Sequence, residues 1–235
     1  MTDDSAIDAA GLLADPTRRR LYRYVTEQGE AGRAQAADAL GIRRTLAAFH
    51  LDRLAEAGLL AVELRKVSGR EGPGSGRPAK LYRRADREFG LHLPPRDYAS
   101  AAHLLAEAVE RSGAEEALYA AAREEGARRA AEREGGGAPR TAAELAEALR
   151  GCGYEPEAAD GEDGRGAVRL RNCPFHSLAA AHPPLACGMN LELLRALVSG
   201  YGTGFTARMA PRAGGGCCVE IVPDPADPNS KNNEN

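Results

Sequence analysis

Residues 34–64 read AQAADALGIRRTLAAFHLDRLAEAGLLAVEL, and the fold turns on how this run divides. Ala34–Leu40 is short and Ala-rich, and Gly41 stands where a helix C-cap needs a residue free to adopt the left-handed conformation. Arg43–Ala57 then has helical spacing, with Leu46, His50 (or Leu51), Leu54 and Ala57 on the inner face. Gly58 stops this helix, and Leu59–Leu64 has strand character. Residues 68–78, SGREGPGSGRP, form an expected flexible, cationic tip, and Ala79–Arg83 returns as a second strand. Upstream, residues 6–28 are helical with an early break. Leu12, Leu13, Leu21, Tyr24 and Val25 supply the apolar spacing, and Asp15-Pro16 marks a fresh helix start. Helix, short helix, glycine turn, helix and basic hairpin together make a winged helix-turn-helix. In that arrangement the second helix of the pair enters a DNA major groove and the hairpin meets phosphates or the minor groove.

The charge is distributed accordingly. Residues 16–87 carry 16 Lys and Arg against 8 Asp and Glu, whereas residues 91–235 carry 15 against 21, within a chain of net charge −3. A basic end joined to an acidic one suits a nucleic-acid module fused to something else. A 43% hydrophobic content without Trp is enough for a core, built mainly from Ala, Leu and Val. No run of 18 apolar residues and no secretory leader pattern is present, so a cytoplasmic protein is expected. In that reducing compartment Cys152, Cys173, Cys187, Cys217 and Cys218 are expected as thiols or metal ligands rather than disulfides.

Beyond the head, residues 96–134 form an Ala/Glu/Arg-rich helical stretch broken near Ser112-Gly113, and residues 135–139 are a linker. Thr141 caps a helix to Arg150, with Glu144 at capping-box spacing. Short strands are expected at 153–157, 167–171, 204–209 and 217–222, a loop at 173–187, and a helix at Asn190–Ser199. The expected fold class is α+β. The winged helix-turn-helix occupies 1–90, a helical linker and dimerisation segment 91–140, a small α/β sensor domain 141–223, and a disordered polar tail 224–235.

Arg43, Arg44 and Thr45 open the second helix of the pair, where side chains reach base edges and Arg can bind guanine bidentately. Helical spacing sets Thr45, Ala48 and Asp52 on one outward strip with Phe49 beside it. Arg18, Arg19, Arg20, Arg65, Lys66, Arg70, Arg77 and Lys80 are candidate phosphate contacts, and His50 is expected to pack inward. These segments resemble the ArsR-like winged-helix regulators. LADPTRRRLYRYV matches their opening helix, RRTLAAFHLDRLAEAGLL the recognition helix running into the wing, and GRPAKLYR the second wing strand. The resemblance implies a homodimer on double-stranded DNA carrying a pseudo-palindromic operator.

The cysteines carry a second signal. No C-x-x-C is present, which sets aside a zinc ribbon or thioredoxin-type site. Cys173, Cys187 and the 217/218 pair each neighbour a turn former, Pro174, Gly188 or Gly216. Separate loops can converge three thiolates on one iron–sulfur centre. Cys-Pro-Phe at 173–175, His-Pro at 182–183, Cys-Gly-Met-Asn at 187–190 and a Cys in the last strand resemble the iron–sulfur-sensing SufR branch of the same regulators. That resemblance implies a [4Fe-4S] cluster held by Cys173, Cys187 and one of Cys217 or Cys218. Strand alternation favours one of the pair, with Cys217 ahead. The fourth ligand would come from the 173–187 loop, with His182 ahead of His176; Cys152 stays structural.

Two rivals are set against it. One is a metal-free regulator of the same fold that senses thiol oxidation or a small apolar molecule in a pocket lined by Leu185, Leu193, Leu194 and Phe205. The other is an enzyme, which is not expected. There is no nucleophile motif or P-loop, and GYGTG at 200–204 follows a helix and precedes a strand, the reverse of a dinucleotide fingerprint.

Overall fold

The computed structural model describes residues 3–65, 78–92, 94, 96–133, 137–159, 166–210 and 216–225. The chain divides into two compact units, Met1–Arg96 and Asp97–Asn235.

In the first unit, α1 (Asp3–Leu12) and α2 (Pro16–Gln28) are separated at the expected break. The Asp15 carboxylate accepts from the Arg18 backbone N–H at 2.8 Å, and Pro16 occupies the first turn, where no N–H partner is needed. Next come β1 (Glu30–Gly32), α3 (Arg33–Leu40) and α4 (Arg44–Glu56), then β2 (Leu60–Arg65) and β3 (Ala79–Arg84). Gly41 takes φ 65° and turns the chain from α3 into α4, as the sequence predicts. The sheet order is β1-β3-β2, antiparallel throughout. The β2–β3 ladder runs from Leu60 opposite Arg84 to Arg65 opposite Ala79. Sequence reading missed β1 because three residues cannot display a period of two. Its Ala31 lies opposite Tyr82 and is fully buried. Leu21, Val25, Leu51, Leu54 and Tyr82 form the core, and His50 lies buried among them as expected, with its ring edge-on to Phe49.

The second unit starts with α5 (Tyr98–Ser112) and α6 (Glu115–Ala131), divided at Gly113 with φ 64°. These helices are not a separate linker segment: they belong to the second unit, where α6 lies along α9 (Pro183–Gly200). The seam is built from small residues. A Cβ on Gly126 would stand 2.3 Å from the Leu193 carbonyl oxygen, and one on Gly200 would stand 2.5 Å from the Ala130 Cβ. Helix α7 (Ala142–Arg150) carries the predicted capping box, with Thr141 and Glu144 satisfying each other's backbone N–H. The antiparallel sheet has the order β4-β5-β7-β6, from β4 (Pro156–Ala158), β5 (Val168–Leu170), β6 (Phe205–Met209) and β7 (Val219–Pro223). Leu145, Leu149, Val168, Leu194, Leu197 and Ile221 fill the space between helices and sheet.

The expected loop at 173–187 is a correction. It holds α8 (His176–Ala181) and the first turn and a half of α9, so Cys187 is a helical residue. Pro183 opens α9 at its first turn, the helical position proline favours. Gly188 is not a turn glycine: it lies inside α9, and a Cβ there would meet the Tyr119 hydroxyl at 2.5 Å. Among the described residues no helix is long and apolar enough to cross a membrane.

Candidate thiol cavity and nucleic-acid interface

Three segments of the second unit meet at one cavity of about 180 Å³. The first is the turn after β5. The Asn172 side chain accepts from the Glu155 N–H at 2.6 Å and donates to the Gly153 carbonyl at 2.9 Å, which fixes the strand end that presents Cys173. The His176 N–H closes the turn onto the Cys173 carbonyl at 3.1 Å, starting α8, whose Ala179 and Ala180 also line the cavity. The second is α9, where Pro183, Cys187 and Asn190 recur at helical spacing and all line the cavity. The third is Gly216–Val219. Gly216, at φ 95°, lets the chain turn beside the Leu170 carbonyl, to which the Cys217 N–H donates at 3.0 Å.

Cys173, Cys187, Cys217 and Cys218 therefore all border one space. Both members of the doubled cysteine do so, against the expectation of one. They precede β7, which begins at Val219, so strand alternation does not separate them. Cys217 has Cys173 as its thiol neighbour, and Cys187 has Cys218. The Cys173 thiol, together with burial, keeps the proton on Cys217 and drives its acidity far down. Burial, then the Cys218 thiol and the other neighbouring thiols, push Cys187 up to about 11. No disulfide links the five cysteines. Cys152 lies outside the cavity, packed against the core with its sulfur 3.9 Å from the Tyr201 hydroxyl.

The two candidate histidines stand in different places. His182 is not among the residues bordering the cavity; its Nδ1 is 2.7 Å from a Glu110 carboxylate oxygen on α5, with the His103 ring beside it. His176 does border it. Both positions follow from the 173–187 segment being helical, which turns the two rings to different sides. Among the described residues no group of three or more His, Cys, Asp or Glu side chains is set out to hold a metal ion. The donor set itself, four thiols on a half-enclosed cavity, is the soft ligand chemistry that iron–sulfur clusters take. Leu193, Leu194 and Phe205, expected as the wall of an apolar pocket, belong instead to the core, and Leu185 is buried too. Asn190 stands in the Cys-Gly-Met-Asn stretch, but the sequence assigns it no role. Treating Gly188 as a turn hid the i, i+3 relation that sets it on the face of Cys187.

In the first unit Arg43, Arg44, Thr45 and Phe49 are exposed at the start and outer face of α4, with Ala48 half-buried between them. Asp52, expected on the same outward strip, is a correction. Its carboxylate accepts from Lys80 at 2.8 Å, Tyr82 at 2.7 Å and Arg33 at 3.1 Å, so it ties α4 to β3 and α3. Lys80, 40% exposed, is thereby tied to Asp52 on α4. Arg65 pairs with Glu30 and Glu63, and Arg18 with Asp15. Lys66, Arg70 and Arg77 lie outside the described residues. Burial pushes the Asp52 carboxyl up, but hydrogen bonds from Lys80 and Tyr82 and the charge of Arg33 outweigh it and hold it below the usual carboxylate range. Its stabilising contribution is therefore complete above about pH 4, the unfolded value, and is lost as pH falls through the lower folded value. Asp52→Asn should cost about 1 kcal/mol near neutrality, since solvent screens a carboxylate one-third exposed. It should also flatten the acid limb of the unfolding curve. A variant whose urea midpoint matches the parent's at pH 7 and at pH 3 would contradict this.

Residues 13–63 match the family model described as a helix-turn-helix domain, which spans α2 to most of β2. Comparison with curated proteins and with solved structures returns no match. The helix-turn-helix match makes the chain a DNA-binding transcription regulator, and α4, exposed and basic at its start after the Gly41 turn, is the second helix of that pair.

Proposed function

We propose that the chain is a SufR-like repressor of the ArsR-like winged-helix class, whose operator affinity is set by a [4Fe-4S] cluster in the second unit. The observation that carries the reading is the convergence of Cys173, Cys187, Cys217 and Cys218 on one cavity from three separate segments. In this reading the β2–β3 hairpin is the wing. The first unit reads a pseudo-palindromic duplex as half of a homodimer, and the protein works in the cytoplasm with no catalytic role. The target genes would serve cluster assembly or the response to oxidative and iron stress.

When bound, the cluster supplies an iron centre that oxidants attack. The protein's own residues supply the coupling. Thiolates of Cys173, Cys187 and the 217/218 pair would tie α8, α9 and the start of β7 together, with His176 the nearest nitrogen donor. The junction of α8 and α9 is held to α5 by His182 on Glu110 and by His103, whose Nε2 is 3.3 Å from the Ser177 hydroxyl. Helix α5 follows the first unit in the chain and exposes Tyr98, Leu104 and Leu105, an apolar face suited to the dimer seam. A change at the cavity thus reaches the helix that spaces the two DNA-reading heads.

A metal-free regulator sensing thiol oxidation is the second reading, favoured by four free thiols bordering one cavity. A small apolar ligand is disfavoured, because the cavity is smaller than the ~300 Å³ at which ordinary ligand pockets begin. The decisive experiment is iron and sulfide analysis of protein purified without oxygen. Near-stoichiometric cluster iron with broad visible absorption is expected. A colourless protein after anaerobic reconstitution would leave the thiol-oxidation reading in its place.

A further inference from the structure

The cavity holds one fully buried polar group besides its thiols. Asn190 is 1% exposed and its side chain is held at both ends. The Tyr154 hydroxyl donates to its Oδ1 at 2.5 Å, and its Nδ2 donates to the Cys217 sulfur at 3.2 Å. Tyr154, itself 3% exposed, keeps its proton, since burial and the neighbouring sulfurs disfavour a phenolate. With the hydroxyl donating to Oδ1, the amide stands with its oxygen toward Tyr154 and its N–H toward sulfur.

This orientation has a consequence for a sulfur that carries charge. A buried amide N–H aimed at a thiolate stabilises it, and the bond is stronger in a low-dielectric interior than in water. Hydrogen bonds to ligand sulfurs are among the levers that set a cluster's potential. An apolar residue would fill the same volume without a buried polar group to satisfy, so a size requirement does not explain an amide here. We infer that Asn190, oriented by Tyr154, is a positioning residue that donates a hydrogen bond to Cys217 as a metal-bound thiolate and so makes Cys217 the distinguished ligand of the doubled cysteine. The inference rests on the cluster reading for its physiological metal, but the hydrogen bond itself can be tested with another.

Full-length parent, Asn190→Asp and Tyr154→Phe proteins are compared. Asn190→Asp keeps the shape and the oxygen that Tyr154 donates to, but sets an oxygen where the N–H faced the sulfur. Tyr154→Phe leaves the amide and removes what orients it. After anaerobic reconstitution, Asn190→Asp should show a lower reduction potential and bleach several-fold faster in air, with Tyr154→Phe between it and the parent. With Co(II) added to metal-free protein, the sulfur-to-cobalt charge-transfer band should move to longer wavelength in the same order. A role confined to packing would lower the thermal midpoint without moving that band. If Asn190→Asp does not fold, Tyr154→Phe carries the comparison. A parent that forms the cluster while all potentials and bands coincide overturns the role of Asn190 and leaves the cluster reading standing. A parent colourless with iron and sulfide whose cobalt band still shifts in the variants does the reverse, and a parent that takes up neither metal overturns both.

Discussion

With Cys173, Cys187, Cys217 and Cys218 all replaced by Ser, the protein is expected to bind no iron or sulfide on anaerobic reconstitution, and its operator affinity should no longer depend on either. Serine keeps the approximate shape but exchanges soft sulfur for a hard, poorly ionised hydroxyl, which cannot hold an iron–sulfur cluster. Coupling between two sites of this kind commonly amounts to about 1–3 kcal/mol, a ~5–150-fold difference in DNA affinity between the reconstituted and metal-free parent. The variant should show a single affinity, close to that of the metal-free parent, in both preparations. Cys152→Ser is the control. Its sulfur lies 4.0 Å from the Ala148 carbonyl and 3.9 Å from the Tyr201 hydroxyl, and it does not border the cavity, so colour and response should persist. Mobility shifts with the protein's own promoter DNA, with iron measured in parallel, decide the matter. Equal affinities for the reconstituted and metal-free parent would remove the regulatory claim even if iron is bound.

The largest loss of stability is expected from Gly126→Ala. A methyl group on α6 at this point would stand 2.3 Å from the Leu193 carbonyl oxygen and 3.0 Å from both the Ala196 Cβ and the Leu197 nitrogen on α9. Two of these atoms are backbone, so no rotamer change relieves the clash and the helices must separate. Overpacking of this kind costs about 3 kcal/mol. The better helix propensity of alanine returns roughly 1 kcal/mol, leaving a net loss of about 2 kcal/mol, which lowers the melting midpoint of a unit this size by roughly 6 °C. Because α9 carries Cys187 and Asn190, the same variant should also slow cluster reconstitution. Gly11→Ala, where nothing lies within 4 Å of the added carbon, should be neutral or slightly stabilising. Calorimetry of the two variants separates these outcomes, and a Gly126→Ala transition that coincides with the parent's would show the seam to be looser than its geometry.

Short-range pattern was a sound guide wherever a local chemical rule decides the backbone. Asp15-Pro16, Gly41, Gly113 and the Thr141/Glu144 box each sit where the sequence sets them, because capping and left-handed turns depend on residues within a few positions. The same reasoning failed at Gly188. Glycine there looks like a turn, yet it is required by the Tyr119 side chain, 69 positions earlier in the chain. The same misreading put a loop in place of α8 and the start of α9, and so did not show that His176 and Asn190, rather than His182, border the cavity. Asp52 failed for a related reason, since helical spacing locates a side chain on a face but does not reveal that Arg33, Lys80 and Tyr82 will gather around it.

From the sequence alone came the helix-turn-helix head, the basic start of its second helix, and the proposal that scattered cysteines act together. Hydrophobic period, cap chemistry and charge are written locally, so they survive without coordinates. Only the tertiary structure decided that both Cys217 and Cys218 reach the cavity, that His176 and not His182 borders it, and that Tyr154 turns the Asn190 amide toward a sulfur. Those facts depend on which side chains from distant segments share one low-dielectric space, and chain order does not encode that directly.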